Sequence, residues 1–97
     1  MKYRVVYLPS AKIDSEAIRR YLRQFSVKAA VRFKDTMSEK LARVWEYPQM
    51  YSVYRHRPIY RCMPVENCLL FYEVDEKQKI IFVARILHSA QDMPSYL

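Results

Sequence analysis

Two stretches hold side chains suited to chemistry on a phosphate. The first is RILHSAQD, residues 85–92, where Arg85, His88 and Asp92 stand at spacings of three and four. The second is YRHRPIYR, residues 54–61, where Arg55, Arg57 and Arg61 are interleaved with Tyr54 and Tyr60. Metal-free cleavage of RNA through its 2′-hydroxyl needs a base for that hydroxyl, cations for the growing phosphorane charge, and an acid for the leaving oxygen. His88 is the candidate for proton transfer. Arg61 and Arg85 are the candidate cations, because a guanidinium is a permanent, bidentate clamp for phosphate.

Each of these residues has a structural use as well. Arg85 on a sheet face suits a buried ion pair, with Asp92 or Glu73 as partner, since buried charges are normally paired. His88, with Asp92 four residues on, suits a clasp that ties the C-terminal segment to a strand. Tyr47, Tyr51, Tyr54 and Tyr60 suit either stacking on bases or packing over a helix end. Arg85 and His88 lie three apart, so a regular strand points them to opposite faces, and only a bulge at Leu87 would bring them together. Cys62 and Cys68 lack a paired histidine and make a poor zinc site, so no metal is expected and both are expected as thiols. The chain contains no glycine. Phosphate-cradling and dinucleotide-binding loops depend on glycine for close backbone approach, so neither is available and no cofactor is implied.

These residues must be positioned by a small domain. The 97 residues read as a single domain, 1–97, with 52% hydrophobic residues and no disordered composition. KYRVVYL, residues 2–8, is β-branched and aromatic and predicts a strand that Pro9 ends, with Ser10 or Asp14 to cap the next element. Ile13, Ala17, Ile18, Tyr21, Leu22 and Phe25 recur at helical spacing. Ser26 reads as a cap before a second helix carrying Val27, Ala30, Val31, Met37, Leu41, Val44 and Trp45, which Pro48 stops. Val44 and Trp45 are both expected against the sheet. A short joint makes the two helices an antiparallel hairpin.

Strand character returns over residues 54–64, firmly from Ile59, with Pro58 marking an edge or entrance. Alternation there would place Arg55, Arg57, Ile59, Arg61 and Met63 on one face. Glu66 and Asn67 form a turn, with Asn67 the residue suited to positive φ in the absence of glycine. CLLFYEVD, residues 68–75, and KIIFVARILH, residues 79–88, complete the chain's strands around a turn at 75–78. The last is apolar on both faces until Arg85 and reads as central. The expected class is α+β, β-α-α-β-β-β, with one twisted, mainly antiparallel sheet and a helical hairpin packed on one face. The net charge of +7 points to an acidic partner such as nucleic acid, the ribosome or an acidic protein. No apolar run approaches the roughly 20 residues of a membrane span, and the N-terminus has no signal-like core, so the expected location is cytoplasmic.

The element order, the opening YRVVYLPSA and the closing FYEVDEKQKIIFVARILHSAQDM resemble the RelE/ParE superfamily of bacterial toxins over nearly the whole chain. The resemblance implies the toxin of a type II toxin–antitoxin pair, bound in a hetero-oligomer by a cognate antitoxin. One branch of the superfamily cuts mRNA on the ribosome; the other inhibits DNA gyrase and needs no catalytic residues. Arg61 stands where RNA-cutting relatives carry a strand arginine for phosphate. Those relatives also place a tyrosine or a His-Tyr pair near the C-terminus, whereas here Ser89 comes after His88 and Tyr96 is the only tyrosine beyond Tyr72. The Arg-Ile-Leu-His ending is closer to the gyrase-inhibiting branch. The resulting expectation is a growth-inhibiting, non-enzymatic toxin acting on gyrase, with Arg55, Arg57, Arg61 and Arg85 at the target or nucleic acid. The alternative is a ribosome-dependent mRNA endoribonuclease using Arg61, Arg85 and His88. A non-toxic, basic RNA-binding module is the third reading.

Overall fold

The computed structural model describes residues 3–88 and 97. Strand β1 spans Arg4–Tyr7, helix α1 Pro9–Arg23 and helix α2 Val27–Glu46. Strands β2, β3 and β4 come next, at Arg61–Val65, Cys68–Asp75 and Ile80–His88. The sheet order is β1-β4-β3-β2. The β1–β4 pair is parallel, and the β4–β3 and β3–β2 pairs are antiparallel. This is the expected α+β order, with β4 central as its two apolar faces require.

The start of α1 differs from expectation. Pro9 opens the helix at its first position, where a missing N–H costs nothing, and Leu8 precedes it without a side-chain cap. Neither Ser10 nor Asp14 caps it, and Asp14 is used elsewhere. Ser26 does cap α2, its hydroxyl accepting from the Ala29 N–H at 3.2 Å. Residues 24–26 join the helices, with the Ser26 N–H donating back to the Leu22 carbonyl.

The core lies between the hairpin and one face of the sheet. From α2 come Phe33, Met37, Leu41 and Val44, spaced to share one helical face, and from the sheet Met63, Val65, Leu70, Tyr72, Ile81, Val83 and Ile86. Val44 and Trp45 meet the sheet differently. Val44 is fully buried, but Trp45 is only half-buried, lining a groove beside Tyr3, Val5 and Tyr7 at the β1 edge. A one-residue step rotates a helical side chain by about 100°, so two neighbours cannot both face the sheet squarely.

Both hairpin turns require a left-handed residue, and without glycine other residues supply it. Glu66 takes φ 55 in the β2–β3 turn, not Asn67, and Lys79 takes φ 57 before β4. Glu66 is tied to the Arg32 Nε on α2 at 2.7 Å. Lys79 ends a turn fastened by Asp75, whose carboxylate accepts from the Lys77 and Gln78 N–H groups at 3.0 Å each.

Candidate target-contact site

From Tyr47 to Val65 the chain has no acidic residue, while it carries Arg55, His56, Arg57 and Arg61. The segment before β2 folds as a small hairpin along the outer edge of that strand. The Cys62 N–H donates to the Ser52 carbonyl at 3.1 Å, Val53 bridges Arg61, and the Tyr54 N–H donates to the Tyr60 carbonyl at 2.8 Å. Two further bonds close the tip: Arg57 N–H to the Tyr54 carbonyl at 3.1 Å, and Tyr60 N–H to the Arg57 carbonyl at 2.9 Å. Residues 55–59, RHRPI, form that tip, and all five are exposed. The expected common strand face for Arg55, Arg57, Ile59, Arg61 and Met63 therefore holds only for Arg61 and Met63. Pro58, with no N–H to give and a fixed φ, belongs to the turn instead of the ladder.

The base of this finger is held by side chains donating to backbone carbonyls. Arg61 Nη1 donates to the Tyr51 carbonyl at 2.7 Å and the Gln49 carbonyl at 3.4 Å. The buried Tyr72 hydroxyl donates to the Pro48 carbonyl at 2.8 Å. Burial is the main cause pushing the Tyr72 phenol up to about 12, against the opposing pull of the Arg61 charge. Gln49 Nε2 donates to Glu76 at 2.8 Å, and the Tyr3 hydroxyl donates to the same carboxylate. The Tyr54 ring stands edge-on to Phe71, centroids 4.9 Å apart, and His56 lies 5.4 Å from Tyr54. Tyr54, Tyr60 and Cys62 pack there with Phe71 and Leu87 on the face away from the helices. Of the four tyrosines expected either to stack on bases or to pack, Tyr51, Tyr54 and Tyr60 pack, and Tyr47 remains 67% exposed.

The residues of the nuclease alternative are placed apart. Arg85 makes a two-pronged pair with Asp14 of α1, Nε to Oδ2 at 2.7 Å and Nη2 to Oδ1 at 3.0 Å. The same carboxylate accepts the Ile86 N–H at 3.0 Å. Because β1 ends opposite Val83, Asp14 occupies the position on the β4 edge that a longer β1 would take. The carboxylate of Asp14 thus grips Arg85, while Glu73 stands opposite Phe82. Asp92 and Tyr96 lie outside the described residues. The strand does contain a bulge, but at Ala84: Phe71 pairs Arg85 and Tyr72 pairs Val83. From Arg85 to His88 the pairing is regular, so the two side chains keep opposite parity. His88 lies at the strand's exposed end, opposite Cys68, and lines a groove between the sheet and the hairpin. Arg61 sits two strands away on β2, roughly 10 Å at ordinary strand spacing.

That groove has a volume of about 720 Å³ and is bounded by Ile18, Tyr21 and Leu22 of α1, Phe33 of α2, and Cys68 and His88 of the sheet. Beside it the exposed surface of the hairpin carries Tyr21 and Phe25, rings 5.2 Å apart. The Cys68 thiol in its wall is pushed up to about 11, by burial first and the Glu66 charge second. Burial also raises Cys62. Both cysteines are free and stand on opposite faces, Cys62 in the outer cluster and Cys68 in the helix-side core. Among the described residues no group of three His, Cys, Asp or Glu could hold a metal ion, and no helix is long and apolar enough to cross a membrane.

Solved structures share this arrangement, among them the following three. A chain of the chromosomal ParDE TA system from P. aeruginosa superposes with a TM-score of 0.71 at 18% identity, covering 89% of this chain and 95% of that one. The E. coli toxin RelE, in a mutant form in the free state, gives 0.69 at 16% identity over 99% and 93%. A chain of the toxin–antitoxin complex RelBE2 from Mycobacterium tuberculosis gives 0.62 at 16% over 91% and 99%. At such identities the likeness shows the fold. No curated protein sequence matches. The model of the family described as the ParE toxin of type II toxin–antitoxin systems, parDE, matches residues 5–93. With nearly its whole length matched, the chain belongs to the ParE toxin family of type II toxin–antitoxin systems, within the RelE/ParE superfamily.

Proposed function

We propose that this toxin arrests growth by binding and inhibiting DNA gyrase, without covalent chemistry of its own. The observation that carries the reading is the engagement of Arg61 and Arg85. A phosphate clamp for RNA cleavage must keep its guanidinium directed at substrate, beside a base within about 3 Å of the proton it takes. Here Arg61 holds two carbonyls of its own chain, Arg85 is gripped by Asp14, and His88 has the opposite parity on its strand. Of the four arginines expected at the target, we keep Arg55 and Arg57 as contacts and assign Arg61 and Arg85 to positioning. A cognate antitoxin is the second partner, in a cytoplasmic hetero-oligomer. The apolar groove of the hairpin and the exposed Tyr21 and Phe25, on a chain of net charge +7, fit an acidic segment that folds as it binds.

The test is induction of the toxin alone in a bacterial host, tracking thymidine and methionine incorporation together. This reading expects DNA synthesis to stop first and co-expression of the antitoxin to restore growth. Translation stopping first, with cut mRNA, would move the assignment to the ribosome-dependent endoribonuclease.

A further inference from the structure

We propose that the tip of the 52–62 finger grips the phosphate backbone of duplex DNA through Arg55 and Arg57, so that the toxin touches the DNA engaged by gyrase as well as the enzyme. This deepens the gyrase reading and rests on it. Arg55 and Arg57 are two residues apart on an exposed tip, and among the described residues neither has an acidic partner. Every other charged side chain from Tyr47 to Val65 is also an arginine, with His56 between the two at the tip. The local field is therefore of one sign, and a guanidinium fork matches two phosphate oxygens.

The finger is also pre-shaped. Four backbone hydrogen bonds close it, Arg61 and Tyr72 fix its base, and Tyr54 anchors it to Phe71. Little ordering is left to be done on binding, which is what a clamp on a regular, stiff lattice of charges requires. Stacking on unpaired bases needs exposed aromatic faces. Tyr54 and Tyr60 instead turn into the outer sheet cluster, which favours backbone contact to a duplex over single-stranded RNA. A protein hot spot typically centres on a buried aromatic or a packed anchor. At the tip Ile59 is the only large apolar side chain, so an acidic protein surface is the weaker match.

The experiment is fluorescence anisotropy with a labelled duplex of about three helical turns and arbitrary sequence, across salt concentrations. It uses the wild type, Arg55→Ala/Arg57→Ala, and Lys12→Gln/Lys34→Gln as an equal loss of charge elsewhere on the exposed surface. Far-UV circular dichroism and melting curves accompany each protein. Supercoiling by gyrase is measured on the same samples. The expected result is salt-sensitive duplex binding by the wild type. In the tip variant the slope of log K against log salt should be shallower by about two, as two lost phosphate contacts require, and it should be unchanged in the lysine variant. Absence of duplex binding by the wild type overturns the proposal, even if supercoiling is still inhibited, in which case the gyrase reading survives without it. Equal slopes for the two double variants overturn it in favour of bulk charge. A tip variant that loses inhibition while keeping its duplex affinity assigns the tip to a protein surface, and tighter binding to single-stranded RNA than to duplex assigns it to RNA.

Discussion

Asp14 ties α1 to β4 through one carboxylate, which accepts from both the Arg85 guanidinium and the Ile86 N–H. Its side chain is 12% exposed and that of Arg85 26%, so the pair is shielded enough to matter without being fully buried. Asp14→Ala removes the two-pronged pair with Arg85 and leaves a strand N–H short of its carboxylate acceptor, and should cost about 2–3 kcal/mol, read as a lower urea midpoint. The Asp14→Ala and Arg85→Ala costs should overlap, so that the double variant loses less than their sum. Strict additivity would contradict the pairing. Arg85 was legible in the sequence as a residue needing a carboxylate. Asp14 was not legible as such a carboxylate, because it reads locally as a helix cap and meets Arg85 only through the parallel placement of β1 beside β4.

At the scale of elements, the strands and helices were legible because their signals are local: β-branched runs, helical spacing, Ser26 as a cap and Pro48 as a stop. The finger was not. RHRPIYRCMP alternates well enough to read as one long strand, and the deciding bonds lie between residues 52–54 and 60–62. The turn residue was misplaced for a similar reason. Asn has the higher intrinsic tolerance of positive φ, but hairpin geometry puts the demand on the first turn position, where Glu66 stands. A non-glycine residue there carries about 1–2 kcal/mol of steric cost. Glu66→Gly should recover about 0.5–1 kcal/mol, since the exposed pair with Arg32 contributes little. A fall in melting temperature would show that the pair matters more than the backbone. Arg61 belongs to this scale too. Arg61→Ala should speed amide exchange at Tyr54 and Cys62 by about tenfold, the loss of roughly 1.4 kcal/mol of local stability, while Leu70 and Ile81 in the core stay protected. Such a change alongside weakened gyrase inhibition and an unchanged core identifies a positioning residue. Unchanged exchange at the finger would return Arg61 to direct contact.

At the scale of the whole molecule, one buried layer beneath a helical hairpin holds two acids that stay protonated. Cys68 is pushed from 9.0 to about 11 and Tyr72 from 10.0 to about 12, both chiefly by burial. An acid with a raised folded-state pKa binds its proton more tightly when folded. Its contribution is complete below the unfolded value and is lost as pH rises through the folded one. Stability should therefore hold to about pH 9 and decline through pH 11–12, by on the order of 2 kcal/mol from each group. Thermal melts across that window check it, and Tyr72→Phe should flatten the upper part of the decline. The other sheet face carries the outer aromatic cluster and the finger, while the groove proposed for the antitoxin lies on the hairpin side of the sheet. The two proposed partners thus fall on different parts of the surface.

Inhibition of gyrase by a toxin that cuts nothing has consequences in two assays. The most direct measurement places purified wild type and Arg55→Ala/Arg57→Ala in two assays side by side, gyrase supercoiling of relaxed plasmid and mRNA cleavage on programmed ribosomes. Gyrase inhibition without catalysis predicts that the wild type blocks supercoiling, that the tip variant does so at least tenfold less effectively with an unchanged melting curve, and that neither cuts mRNA. Site-specific mRNA cuts by the wild type, lost in a folded His88→Ala variant, together with undisturbed supercoiling, would contradict it.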